Sequence, residues 1–250
     1  MRFSKVMVLA GISLLTLGLT ACGDNAAKST ASFKNSSSKT SSSYKAPEPD
    51  AAVTGSSSKK EAQTYKPKTS ATKSAEYVKS GNLKKTGQYT FDKVGTRLQL
   101  ASVSHPKTTI KSGKLTYKVT TVRLIKNTAE TAAAKRMAAS ALNLSSIKSP
   151  YYTIQVKFTI SNSGNQALTT DGIKTIRLSA DHDLNAAGQL SDASAGKTIP
   201  ANGKLNTFAT GLANEKTKPN FKTIKIAFAA AFDSKHQQVV NPTGWLKLTL

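Results

Sequence analysis

Alternation of apolar and polar side chains is the strongest signal in the second half of the chain. Residues 152–160 place Tyr, Ile, Val, Phe and Ile at every second position, with Thr, Gln, Lys and Thr between them. Side chains of a β-strand alternate between two faces, so this pattern predicts a strand with one apolar and one polar face. The cluster Ser-Asn-Ser-Gly-Asn at 161–165 is typical of the turn that ends such a strand.

Shorter alternating runs predict further strands on both sides of this one. They lie at 89–103, 115–124, 173–178, 205–210, 224–232 and 245–250. Within 115–124 the apolar positions shift in phase after Val119 and resume at Val122, which predicts a β-bulge. About seven short strands separated by turns that contain Gly, Asn and Pro favour an antiparallel β-sandwich.

One stretch has helical rather than strand character. Residues 128–144 are rich in Ala, with Asn127 or Thr128 available as the N-cap and Glu130 in the first turn. A βαβ fold would need several such stretches. We therefore expect a mostly β protein with one Ala-rich helix inserted in a connection between strands.

The N-terminus has the organisation of an export signal. Arg2 and Lys5 precede an apolar stretch, residues 6–19, which has the length of a signal-peptide core and is too short for a permanent membrane span. The stretch ends in Leu-Thr-Ala21-Cys22, which resembles the lipobox of bacterial lipoproteins. The resemblance implies a signal peptide at 1–21, cleavage between Ala21 and Cys22, and a diacylglyceryl group on the Cys22 thiol that anchors the chain. The alternative is an ordinary secretory signal followed by an unrelated cysteine.

Residues 22–86 are predicted to form a disordered tether behind the lipidated cysteine. The segment consists largely of Ser, Thr, Lys and Ala, and its few large apolar residues are scattered. Such a composition buries too little apolar surface to offset the conformational entropy lost on folding. The sequence thus predicts a signal peptide at 1–21, a tether at 22–86 and one β-sandwich domain at 87–250.

The strand segments of this domain also resemble a known family. The matching stretches are 117–127 with the Ala-rich segment after it, 151–162, 172–176, 199–204 and 224–228. In this order they resemble the uncharacterised immunoglobulin-like domain of surface lipoproteins from lactobacilli and related Gram-positive bacteria. The resemblance implies a β-sandwich on the cell surface and carries no catalytic residue with it.

The sequence predicts no catalytic, cofactor-binding or metal site. The single cysteine excludes a disulfide scaffold and a zinc site built on several thiolates. His182 stands between Asp181 and Asp183, but neighbouring residues of a strand point to opposite faces, so surface turn residues are the favoured interpretation. The alternatives left open are a weak calcium site at Asp181, Asp183 and Asp192, and an enzyme that uses the Asp-His-Asp cluster.

Charge is the one functional signal in the domain. The whole chain has a formal net charge of +23, and residues 87–250 contain 22 basic and 8 acidic residues, a net charge of +14. This excess attracts polyanions. The function expected from the sequence is a non-catalytic module, lipid-anchored through Cys22 on the extracellular face of a Gram-positive cell membrane, which binds teichoic acids or other anionic envelope polymers.

Three alternatives compete with that expectation. The lysines could simply solvate outward strand faces and deter edge pairing. The domain could be an accessory module that binds a surface protein through a sheet edge or end loops. Nucleic acid would also account for the charge, but the export signal, the few aromatic residues and the absence of a recognition motif predict no nucleic-acid partner.

Overall fold

Most of the chain after the N-terminal region is built of short antiparallel strands. The computed structural model describes residues 51–52 and 65–250, in which there are two helices and fifteen strands. In chain order they are α1 (Thr69–Thr72), β1 (Tyr89–Phe91), β2 (Thr96–Ser104), β3 (Thr108–Ser112), β4 (Leu115–Ala129), α2 (Ala132–Ala141), β5 (Tyr151–Asn162), β6 (Leu168–Thr170), β7 (Ile173–Ser179), β8 (His182–Leu184), β9 (Leu190–Asp192), β10 (Lys197–Ile199), β11 (Lys204–Asn214), β12 (Thr223–Phe228), β13 (Ala231–Phe232), β14 (Gln238–Val240) and β15 (Leu246–Thr249). The signal peptide, Ala21, Cys22 and most of the predicted tether lie outside the described residues.

The strands form three sheets in two layers. Sheet A has the order β1-β2-β4-β5-β11-β9, with β3 paired to one end of β4. Sheet B has the order β10-β6-β13-β14, and sheet C has the order β15-β12-β7-β8. Every pairing between these strands is antiparallel. Sheets B and C together cover one face of sheet A.

The main hydrophobic core lies between these two layers. Apolar side chains from β4 and β5 of sheet A meet side chains from β7, β12 and β15 of sheet C and from sheet B. Tyr117 of β4 stacks on Phe228 of β12, with ring centroids 4.2 Å apart, and Phe158 of β5 adds a tilted contact at 5.3 Å. The predicted fold class is confirmed: the protein is a mostly β antiparallel sandwich with an Ala-rich helix inserted between β4 and β5.

The bulge predicted from the phase shift in β4 is also present. Val119 pairs with Phe158, but Thr121 rather than Thr120 pairs with Lys157, so Thr120 is the extra residue. A single inserted residue reverses the side-chain alternation of one strand relative to its partner. Both halves of β4 can therefore direct their apolar residues into the same core.

The polar face of β5 is less exposed than the alternation predicted. Thr153 and Gln155 are fully buried although they point away from the main core. The cause is a second layer of chain on the outer face of sheet A, which the sequence pattern of β5 alone does not reveal. A strand that looks amphipathic in sequence is here covered on both sides.

The helix begins later than the sequence predicted. The N-cap of α2 is Thr131, whose Oγ1 accepts a hydrogen bond from the Ala134 N–H at 2.9 Å. Asn127 and Thr128 belong to β4 instead, and the Asn127 side chain is buried and donates to Thr153 Oγ1 at 2.9 Å. Pairing of β4 with both neighbours in sheet A outweighs the local helix signal, because it satisfies backbone groups that are buried there.

Part of the predicted tether packs on the sandwich. Residues 65–86, which we call the strap, run along the edge formed by β1 and over the outer face of sheet A. Val78 N–H donates to the Tyr89 carbonyl at 2.8 Å, and Leu83 is 2% exposed in a cluster with Leu98, Leu100 and Ile125. Ala51 and Ala52 are buried in the same cluster.

A buried arginine holds the strap against the sheet. Arg123 of β4 is 2% exposed; its Nη1 donates to the Leu83 carbonyl at 3.1 Å and its Nε to Gln155 Oε1 at 2.9 Å. The part of the chain that packs with the sandwich thus begins before Gly87. The few apolar residues of a Ser- and Lys-rich segment suffice here because they are placed where sheet A has an apolar outer surface.

We expect a chain that begins at Gly87 to be less stable than one that begins at Ser43. The shorter chain exposes Leu98, Leu100 and Ile125 and removes the carbonyl acceptor of the buried Arg123 guanidinium. Urea unfolding should show a loss of at least about 3 kcal/mol, the order expected for opening a buried apolar site together with a buried charge. Leu83→Ala in the longer chain tests the same contact and should cost about 2–4 kcal/mol. Equal midpoints for the two chains would contradict this role of the strap.

Candidate functional site

The outer face of sheet C carries a line of charged side chains. Lys225 of β12 is directly paired with Lys247 of β15 on one side and with Arg177 of β7 on the other. Arg177 is in turn paired with Asp183 of β8. Directly paired residues project from the same face of a sheet, so these four side chains lie in one line across four strands. We call Lys247, Lys225 and Arg177 the cationic row.

The core fixes the direction of the row. The residues on either side of Lys225, namely Ile224 and Ile226, are buried, as are Leu246 and Leu248 beside Lys247. Because side chains alternate along a strand, burying these four directs both lysines outward. Both lysine residues are exposed. With neighbouring strands about 4.8 Å apart, the three cations span about 10 Å.

The row is electrostatically unfavourable for the isolated protein. Like charges placed directly opposite each other in a sheet are destabilising, and Lys225 has a cation on each side. Among the residues that the structure describes, no acidic side chain forms an ion pair with Lys225 or Lys247. An external anion placed over the row would relieve this repulsion.

At the β7–β8 end of the line, Arg177 contacts both Asp183 and Trp245. Arg177 forms a bidentate ion pair with Asp183, with Nε to Oδ1 at 2.8 Å and Nη2 to Oδ2 at 2.6 Å. The Arg177 guanidinium carbon lies 4.7 Å from the centre of the Trp245 ring. A bidentate carboxylate fixes the plane of a guanidinium, so Asp183 determines how Arg177 covers the indole.

The ion pair also sets the charge state of the cluster. Its hydrogen bond to Arg177 holds the pKa of the Asp183 carboxyl below its ordinary value. A carboxyl with a depressed folded-state pKa stabilises the fold above its unfolded pKa, and this contribution is lost as pH falls through the lower folded value. Asp183 is therefore ionised, and Arg177 remains clamped, throughout the neutral range.

The structure does not bring the three residues of the Asp-His-Asp cluster together in one site. Asp183 is engaged by Arg177, Asp181 is exposed, and His182 pairs with Ser179 at the end of β8. Across the described part of the chain, no group of three or more His, Cys, Asp and Glu side chains is placed to hold a metal ion.

Asp192, the third residue of the candidate calcium set, has a structural role at the junction of sheets A and C. Its Oδ2 accepts from the Ile173 N–H at 2.5 Å, and its Oδ1 accepts from the Ser194 N–H at 2.8 Å and the Ser194 hydroxyl at 2.6 Å. Burial raises the pKa of the Asp192 carboxyl, although these hydrogen bonds oppose the shift. Gly172 makes room for it, because a Cβ at this position would overlap Oδ2.

The predicted lipidation site stays a prediction. Ala21 and Cys22 lie outside the described residues, so the structure gives no geometry for cleavage or for the thioether. Neither helix within residues 65–250 is long and apolar enough to cross a membrane.

The sequence analysis did not identify the cationic row. It predicted strands at 173–178, 224–232 and 245–250 but not their pairing, and only the register places Arg177, Lys225 and Lys247 side by side. The available signal was local: in both Ile-Lys-Ile at 224–226 and Leu-Lys-Leu at 246–248, a lysine stands between two apolar residues. Such a triplet predicts an outward lysine, and two of them on neighbouring strands predict a charged line.

A cleft of about 520 Å³ lies at the loop end of the sandwich. It is bounded by the β3–β4 turn, the β5–β6 turn and strand β14. Val239, which is 50% exposed, and Val240 form its apolar side, and Lys114 contributes a charge. A smaller cleft of about 230 Å³ contains Arg123, whose guanidinium is occupied with Gln155 and the strap.

Comparison with known proteins adds little to this geometry. No family model matches the chain, and no curated protein matches it. Among solved structures, a functionally unknown protein from Listeria monocytogenes EGD-e is 16% identical, with a TM-score of 0.37, and the match covers 58% of this chain and 86% of that one. A target of the Northeast Structural Genomics Consortium is 11% identical, with a TM-score of 0.29, and the match covers 62% and 86% of the two chains.

We expect Asp183→Asn to release Arg177 from its fixed position over Trp245. The chain has one tryptophan, so its fluorescence reports on this cluster alone. The substitution should shift the emission spectrum and increase the accessibility of the indole to iodide. Asp181→Asn makes the same change of charge two residues away and should leave both properties unchanged. Identical spectra for Asp183→Asn and the parent would contradict the clamp.

We expect Gly172→Ala to destabilise the protein more than Gly196→Ala. Both glycines have a positive φ, 76° and 70°, so alanine strains the backbone at each by about 1–2 kcal/mol. Only at Gly172 does the added Cβ displace the partly buried Asp192 carboxylate, whereas nothing lies within 4 Å at Gly196. The difference in unfolding free energy in urea should exceed about 1 kcal/mol, the order of one buried hydrogen bond left unmade. Equal losses would show that Asp192 adjusts without cost.

Proposed function

We propose that this chain is a lipid-anchored extracellular lipoprotein whose sandwich is a non-catalytic binding module for anionic polymers of the cell envelope. The observation that supports the module most directly is the cationic row, three cations in register on an exposed sheet face with one acid at its end. The anchor is proposed from the export signal and from Cys22. A Gram-positive cell surface is the proposed location, where teichoic acids would supply the polyanion.

The geometry of the row suits a linear polyanion. A chain laid across the strands of sheet C passes over Lys247, Lys225 and Arg177 in turn, and these are about 4.8 Å apart. An anionic group over Lys225 and Lys247 meets two cations that have no acidic partner among the described residues, whereas Arg177 is already paired with Asp183. Asp183 ends the row and gives the binding line a direction.

Charge on the rest of the domain assists the encounter. Residues 87–250 carry a net charge of +14, and this field draws a polyanion toward the domain from a distance set by the ionic strength. The row then provides the site where the attraction is concentrated. Binding of this kind needs no bond to break, so it is consistent with the proposal of a module without catalytic residues.

A second candidate function rests on the loop-end cleft. Val239 is one of only two exposed large hydrophobic residues among those the structure describes, and it lies in β14, an edge strand of sheet B. An extended segment of a protein partner could add to such an edge. The two candidates differ in salt dependence, since an apolar edge contact persists at high salt and a charge contact does not.

We expect Lys225→Gln with Lys247→Gln to weaken binding to purified cell walls about tenfold at low salt. Each substitution removes one charge contact with the polymer, and such a contact is worth up to about 1 kcal/mol. The control is Lys135→Gln with Lys148→Gln, which removes two exposed lysines on and after α2 and leaves the row intact. Binding of residues 23–250 should be measured between roughly 50 and 500 mM salt, with walls that contain or lack teichoic acids.

Three outcomes bear on this proposal. Teichoic-acid-dependent binding that fades as salt rises, with the row variant alone impaired, would support it. Equal weakening by both double variants would show that only net charge matters and would contradict a site on sheet C. Salt-resistant binding abolished by Val239→Asp would favour the protein-partner candidate.

A further inference from the structure

The one tryptophan of the chain lies on the same face as the cationic row. Trp245 precedes Lys247 by two residues, and its contact with Arg177 confirms that both point outward from sheet C. It is 45% exposed; the other exposed large hydrophobic residue in the described part of the chain, Val239, belongs to sheet B. An indole that covers so much surface is normally buried. An isolated exposed indole beside a line of cations therefore indicates a contact with a ligand.

The indole is held in place before any ligand arrives. Arg177 lies over its ring at 4.7 Å, and Asp183 fixes the Arg177 guanidinium by two hydrogen bonds. A side chain that is already ordered loses little entropy on binding, so more of its contact energy contributes to affinity. Trp245, Arg177 and Asp183 thus form a rigid platform at one side of the row.

We propose that this platform is a ring-stacking subsite, and that the preferred ligand is an anionic polymer that carries sugar rings. The inference rests on the proposed function and specifies its ligand. The face of an aromatic ring is electron-rich, and the C–H bonds on one face of a sugar ring are weakly positive and apolar, so the two faces attract. The row binds the anionic groups of the same chain while Trp245 binds a ring attached to it.

The composition of the surface favours a single chain over a bilayer. Insertion into a membrane interface buries an apolar face of several residues, whereas the sheet face that carries Trp245 also carries Arg177, Lys225, Lys247 and the exposed Thr223 and Thr249. One ring and one line of charges match the repeat of a linear polymer. Nucleic acid also combines phosphates with stacking rings, and the experiment separates it from a sugar-bearing polymer.

The test uses residues 23–250 and three probes in calorimetric titrations. They are a glycerol phosphate polymer without sugars, the same polymer with glucosyl groups, and single-stranded DNA of equal charge. We expect the glucosylated polymer to bind roughly three- to tenfold more tightly than the bare one, the gain typical of an aromatic ring contact. It should also shield Trp245 from iodide quenching. DNA should bind more weakly than the glucosylated polymer.

Variants identify the residues responsible. Trp245→Leu should abolish the preference, so that this variant binds the glucosylated and the bare polymer with equal affinity. Val239→Ala, at the other exposed hydrophobic residue, should change the affinity for neither polymer. Lys225→Gln with Lys247→Gln should lower the affinity for both polymers by the same factor. Circular dichroism should confirm that each variant is folded.

The outcomes separate this inference from the function on which it rests. Equal affinity for the two polymers, unchanged in Trp245→Leu but weakened by the lysine variant, would overturn the subsite and leave the polyanion module intact. No binding of either polymer at low salt would contradict the proposed function itself. Tighter binding of DNA than of the glucosylated polymer would assign the platform to a different ligand and overturn the inference.

Discussion

The two-residue alternation of sheet C connects the core of this protein to its surface. Ile224, Ile226, Leu246 and Leu248 fill the space against sheet A, and the same periodicity places Lys225 and Lys247 on the outside. A slip of β15 by one residue relative to β12 would bury Lys247 and expose Leu246 and Leu248. The register that the core requires is therefore also the register that aligns the cationic row. The surface charge pattern is as well determined as the packing beneath it.

The periodic features of the fold could be predicted from sequence, and the contacts between distant segments could not. The strand at 151–162, the bulge after Val119 and the inserted helix all leave a local pattern in the chain. The start of α2 leaves no such local pattern, because Asn127 and Thr128 suit a helix N-cap as well as a strand. Pairing of these two residues with β2 and β5 places them in the strand. Tertiary contacts outweigh a local preference of about 1 kcal/mol.

The strap shows the same limit at the level of domain boundaries. Its composition is that of a disordered linker, yet Val78 and Leu83 find an apolar surface on sheet A, and Arg123 donates to the Leu83 carbonyl. Composition shows how much apolar surface a segment can bury. It does not show whether the folded domain offers an apolar surface for that segment to pack against. The cationic row is missed for a related reason, since pairing across β15, β12 and β7 is a property of three segments that are separate in sequence.

We propose that the outer face of sheet C is where an anionic polymer binds. The most direct measurement is a titration of isotope-labelled residues 23–250 with the glycerol phosphate polymer, followed by backbone amide chemical shifts. We expect the largest shift changes at Arg177, Lys225 and Lys247 and in the strands around them. These shift changes should disappear at high salt. Shifts confined to the loop-end cleft around Val239, or spread evenly over all basic surfaces, would contradict it.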